Sequence, residues 1–204
     1  ESFIVPARTL PAAAFVDYLG LGIEHLFTGL DHVLFVLSLL FVLTRTRALV
    51  AAVTSFTVGH SASLALSALD FVQLPSAPVE VAIALSLFMM ALEILRRHRL
   101  GHGGELERHP ALLSGFFGLI HGLGFAGVLA ETGLPSGAVP EALFGFNVGI
   151  ELGQLALIAL AMAIGIGARR LAASRLSHAR PVAAYVIGSL AAMWVLERGL
   201  ALVS

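Results

Sequence analysis

Six stretches of about 20 almost entirely apolar residues constrain this chain more than any other feature, because that is the length a helix needs to cross a bilayer. They run over roughly 23–43, 48–69, 77–97, 110–130, 141–166 and 181–202 of the 204 residues. Residues 11–22, PAAAFVDYLGLG, are apolar too but carry Asp17. They read, within an outer segment 1–22, as an interfacial lead-in to the first span or as an extension of it. The runs are rich in Leu, Ala and Gly and lack the period-two alternation of a membrane barrel. A soluble bundle would show a charged face on each helix, but only 12% of the residues are charged and 58% are apolar. The expected fold class is therefore all-α: a polytopic membrane protein with a bundle of about six transmembrane helices. One domain covers 1–204, without a linker or a low-complexity tract.

Charge sets the expected orientation. All 12 basic residues are Arg. Ten lie in three connections: Arg45 and Arg47; Arg96, Arg97, Arg99 and Arg108; and Arg169, Arg170, Arg175 and Arg180. Only Arg8 and Arg198 fall on the other side. The positive-inside rule then predicts cytoplasmic Arg-rich loops and both termini outside, as in a bacterial inner membrane. The chain opens at Glu1 rather than Met, and an outside N-terminus is compatible with a removed signal peptide. The formal net charge of −1 leaves no basic field for nucleic acid. The absence of cysteine excludes disulfides, thiolate metal sites and Cys nucleophiles. The partners expected are the lipid bilayer and a metal ion. The sequence leaves open a homo-oligomer or association with another membrane protein. The loop 98–109, HRLGHGGELERH, reads as a solvated connection, with Glu93 in an ion pair with Arg96 or Arg97 at its start.

Ionisable side chains at membrane depth are costly and mark function. Span one holds Glu24, His25, Asp31 and His32; span two His60 and Ser61; span three Glu80; span four His121; span five Asn147, Glu151 and Gln154. On a continuous helix His25 and His32 would differ by only about 20° in direction. Gly145, Gly149 and Gly153 fall on the face of span five opposite Asn147, Glu151 and Gln154, a small-residue seam for close helix packing. His32, His60, His121 and Glu151 each lie nine or ten residues from the outer end of their span, or roughly 15 Å at 1.5 Å per residue. That depth is near the midplane, with His25 and Glu80 higher. Imidazole with carboxylate suits a divalent transition metal such as Zn, Ni, Co, Cu(II) or Fe(II). Asn147, Gln154, Glu24, Ser61 and Glu80 read as supporting or approach residues. The 13 Phe read as lipid-facing or core filler.

Residues 25–32, HLFTGLDH, form the pattern HxxxGxDH, with Leu26 where the usual form has Pro. This resembles the first-helix signature of the HupE/UreJ family of nickel-permease-like membrane proteins. FTVGHS at 56–61, GLIHGLGFA at 118–126 and FNVGIELGQ at 146–154 fit one branch of that family. The resemblance covers spans one, two, four and five. It implies a small helical membrane protein that takes up nickel or cobalt, with His25, Asp31, His32, His60, His121 and Glu151 as metal residues.

Three functions follow from these readings. The first is a permease for a divalent transition-metal cation, nickel by resemblance, with the metal as substrate. The second is an intramembrane zinc-type hydrolase or transacylase acting on a lipid-linked substrate from the outer face, with Zn as its cofactor and Asp31 or Glu151 as base. The third is an accessory subunit whose polar cluster is structural. Under the first two, His32, His60 and His121 are expected to converge on one ion, and His25 with Glu80 to form a separate outer site.

Overall fold

The computed structural model describes residues 10–132, 135, 137–172 and 178–202. Among these there are eight helices and no strand: α1 Pro11–Thr28, α2 Leu30–Val42, α3 Thr46–Ala68, α4 Ser76–Leu100, α5 Glu105–Arg108, α6 Pro110–Thr132, α7 Val139–Ala172 and α8 Ala179–Leu200. Arg8 and Arg175, which enter the charge argument, lie outside the described residues. The ends of the helices have local causes. Pro11 and Pro110 open α1 and α6, where a missing N–H is no loss. Gly101, left-handed at φ 79°, closes α4 and returns its N–H to the Arg97 carbonyl.

α3, α4, α7 and α8 are each long and apolar enough to cross a membrane, and α1 with α2 makes one further, bent span. With the 23-residue α6, which lies along α3, this is the all-helical bundle of about six spans expected from the sequence. Large apolar side chains point outward, among them Leu112 at 72% and Phe144 at 65% exposure, as a lipid-facing surface requires.

The first span departs from expectation. Residues 23–43 are not one helix, and 11–22 are the extension of the first span rather than an interfacial lead-in. α1 runs through both, and the chain then bends by 73° between α1 and α2. Gly29 makes the break. Its backbone is extended (φ −77°, ψ 94°), and its N–H closes α1 on the His25 carbonyl at 2.8 Å. A Cβ there would lie 2.9 Å from both that carbonyl and the His32 ring, so only Gly fits.

Glycine also sets the helix pairing. A Cβ on Gly145 or Gly149 would fall on the carbonyl oxygens of Phe15 and Leu19, and one on Gly22 on the carbonyl of Phe146. α1 and α7 therefore run parallel with backbones in contact, along the seam expected from the sequence. α3 and α6 do the same, Gly118 against the Phe56 carbonyl and Gly122 against that of His60. α4 and α8 are antiparallel, joined at one end by Arg198 Nε and Glu80 at 3.7 Å. α2 contacts α1, α3, α4, α7 and α8, which makes it the central element.

At the opposite end the 98–109 connection is more ordered than expected. Leu106 of α5 is buried in the core. Arg97 pairs with Glu107 at 2.5 Å, while Glu93 accepts the Gly104 N–H at 2.6 Å. The ion pair expected for Glu93 thus falls to Glu107, because the chain turns back and presents that carboxylate to Arg97.

Candidate metal centre

The break at Gly29 puts two helix ends at the level of the histidines. His25 sits in the last turn of α1 and His32 in the first turn of α2, with ring centroids 4.8 Å apart. The two rings meet across a bend rather than along one helical face. The carbonyl end of α1 there is the negative pole of its dipole and favours a cation. Asp31, in the first turn of α2, answers the positive pole of that helix. Its Oδ1 accepts the backbone N–H of His32 at 2.9 Å and lies 3.1 Å from His32 Nδ1.

His60 comes in from α3, with ring centroids 6.2 Å from His25 and 5.8 Å from His32. His25, His32 and His60 each offer one ring nitrogen, and the three nitrogens lie within 4.8 Å of one another. Two nitrogens at about 2.1 Å from one ion can be at most about 4.2 Å apart, so a small contraction would let a cation bridge them. His121 of α6 stands beside this group, its ring 5.1 Å from that of His32.

The hydrogen-bond network assigns the tautomers. Asp31 can only accept, so His32 Nδ1 carries the hydrogen and Nε2 the lone pair. Asn147 Nδ2 donates to the Leu143 carbonyl at 2.8 Å, which turns its Oδ1 toward His60 Nδ1 at 3.3 Å. His60 Nδ1 is therefore a donor as well. Ser86 Oγ donates to the Ile83 carbonyl at 2.7 Å and lies 3.2 Å from His121 Nε2, which must donate to it. His32 Nε2, His60 Nε2 and His121 Nδ1 remain, all buried and without a hydrogen-bond partner. Three lone pairs facing no donor fit a cation well: a metal-binding imidazole characteristically donates its other N–H to a carboxylate or carbonyl oxygen.

The other sequence candidates lie elsewhere. Glu24 is exposed on α1. Glu80 is held by Arg198 at the α4–α8 contact, apart from His25. Glu151 accepts from Thr54 Oγ1 at 2.6 Å, and Gln154 Oε1 lies 3.1 Å from Thr57 Oγ1. Ser61 Oγ donates back to the Thr57 carbonyl at 2.7 Å. Reading the sequence missed Ser86, the acceptor for His121. It also missed the aromatic lining: Phe146 lies against His25 at 5.4 Å, and Phe56 against His121 at 5.1 Å. The one-turn spacing of Phe56 from His60 was the available signal.

A family model described as HupE / UreJ protein matches residues 3–198. No curated protein and no solved structure matches the chain. Since the match takes in nearly all of the sequence and every histidine of the centre, this chain belongs to the HupE / UreJ protein family.

Proposed function

We propose that the protein is a permease that carries a divalent transition-metal cation across the membrane, with nickel as the cargo its family resemblance implies. One observation carries the reading: His32, His60 and His121 each have one nitrogen engaged by a protein acceptor and the other buried without a partner. Buried lone pairs are costly unless something completes them, and imidazole nitrogens beside a carboxylate select a borderline cation. In this reading the ion approaches past His25, the least buried of the four, and rests among His25, His32 and His60, with the His121 ring beside it against His32. Asp31 holds His32 in its metal-binding tautomer and offsets charge. The Arg-rich loops face the cytoplasm and both termini lie outside, in a bacterial inner membrane.

The enzymatic alternative needs a free base or nucleophile beside the ion. Asp31 is engaged by His32, Glu151 accepts from Thr54, and Ser61 donates to a backbone carbonyl, so the geometry favours carriage over hydrolysis.

Equilibrium dialysis of the purified protein against Ni²⁺, Co²⁺ and Zn²⁺, followed by uptake into vesicles containing it, tests the reading. The expected result is about one ion per chain, lost in His32→Ala and in His60→Ala, with uptake above that of protein-free vesicles. Full occupancy in both variants would overturn the site. Binding without uptake would overturn the permease. Orientation has its own check: the thiol of a Gly103→Cys variant, in a chain with no cysteine of its own, should resist an impermeant label applied to intact cells.

A further inference from the structure

Every helix that supplies a buried histidine to the centre also supplies a phenylalanine one turn nearer its Arg-rich end. Phe35 follows His32 by three residues on α2, Phe56 precedes His60 by four on α3, and Phe117 precedes His121 by four on α6. α2 ends just before Arg45, α3 begins just after it, and α6 begins after Arg108. The three phenylalanines therefore lie on one side of the histidines. Their rings meet: Phe35 is 4.7 Å from Phe56 and 5.9 Å from Phe117. They also touch the histidine layer, Phe56 at 5.8 Å from His32 and Phe35 at 5.9 Å from His121. All three are buried. About one turn further along, α2 and α6 carry Ser38 and Ser114, both fully buried, and Ser114 Oγ has no hydrogen-bond partner.

An apolar layer of this kind stops an ion because the ion would have to shed its ligands with nothing to replace them. Resting on the permease reading above, we propose that Phe35, Phe56 and Phe117 are the inner gate of the cation path, and that Phe35 on α2 is its moving leaf. Phe35 is the ring that joins the other two. Among the described residues α2 is also the one helix set off from its span by a break, at Gly29. A swing of α2 about that glycine withdraws Phe35 from Phe56 and Phe117. The same swing carries Asp31 and His32 away from His25 and His60, so opening the gate and loosening the ion are one motion. Ser38 and Ser114 then offer hydroxyl oxygens to the cation as it leaves.

The test uses the full-length protein in vesicles with two readouts. The first is entry of Co²⁺ down its gradient, followed by quenching of an enclosed dye, in wild type, Phe35→Ala and Phe117→Ala. The second is the rate at which Ag⁺, applied from the histidine side, modifies the single thiol of Ser38→Cys, with Phe35 intact and in the Phe35→Ala background. Phe35→Ala should raise both rates at least about tenfold, with Co²⁺ affinity by dialysis staying within about threefold of wild type. Phe35→Leu, which keeps most of the packing, should give an intermediate rate and covers the case in which the Ala variants fail to fold. Unchanged rates in folded Phe35→Ala and Phe35→Leu would overturn the gate. If wild type binds no cation, the permease reading fails on its own, and the Ag⁺ reaction of the Ser38→Cys thiol still decides whether the phenylalanines are the barrier.

Discussion

His60 Nδ1 lies 3.3 Å from Asn147 Oδ1, and the amide nitrogen of the same Asn147 is tied to the Leu143 carbonyl at 2.8 Å. The second bond gives the first its meaning. With its nitrogen engaged, the amide can turn only its oxygen to the ring, so Nε2 of His60 is the atom left with a lone pair. Asn147→Leu should lower metal affinity by about 10–100-fold, the usual cost of losing the partner that orients a metal-binding imidazole. Asn147→Asp keeps an acceptor and should bind far better than the Leu variant. Dialysis on the two proteins checks this, and equal affinities would contradict the assignment.

Gly29 should tolerate no side chain. Gly29→Ala puts a Cβ against the His25 carbonyl and the His32 ring. Overpacking of this kind costs about 1–3 kcal/mol. Metal binding should suffer more than stability, because the displaced groups belong to the centre. Thermal unfolding in detergent and dialysis on the same sample separate the two effects. A variant that binds metal as wild type does would remove the argument that the break positions the site.

Two glycines of α7 should respond with opposite sign. At Gly149 an added Cβ falls on the Leu19 carbonyl, whereas at Gly165 it meets nothing within 4 Å. Gly149→Ala should destabilise by about 1–3 kcal/mol by forcing α1 and α7 apart. Gly165→Ala should stabilise by up to about 1 kcal/mol through helix propensity. The measurement is the unfolding midpoint of each variant. Stabilisation by Gly149→Ala would show that the helices do not meet there.

The Arg97–Glu107 pair should make stability pH-dependent. Hydrogen bonding to the Arg97 guanidinium, helped by the Gly103 N–H, holds the Glu107 carboxyl below the ordinary glutamate range. A carboxyl lowered in the folded state contributes stability above its unfolded pKa. That contribution is lost as pH falls through the folded pKa. Glu107→Gln should therefore be less stable than wild type at neutral pH, and the gap should close in acid. Unfolding midpoints of both proteins across the acidic range give the answer. A gap that persists unchanged would mean the charge is not what Arg97 recognises.

Much of the architecture was legible in the sequence because it depends on properties that each segment carries alone. Apolar length decides that a stretch crosses the bilayer, and the number of such stretches follows without knowing how they pack. Gly145, Gly149 and Gly153 could be assigned to a packing seam because small residues four apart share a face on any helix. The histidine motifs and the family they mark were legible for the same reason: the residues sit at short, regular spacings.

What the tertiary structure alone decided is which groups meet. No periodicity marks residue 29 as a break, since a lone glycine is compatible with a helix; the 73° bend there arises when the two halves pack against different partners. That bend draws His25 into the group with His32 and His60, where depth along a straight helix had set it apart with Glu80. The same holds for Asp31 on His32, Asn147 on His60, Ser86 on His121 and Glu107 on Arg97. A side chain's partner depends on the rotation and depth of two helices relative to each other. Those are set by where glycines let backbones touch and where buried polar groups must be satisfied, and a single helix read by itself contains neither.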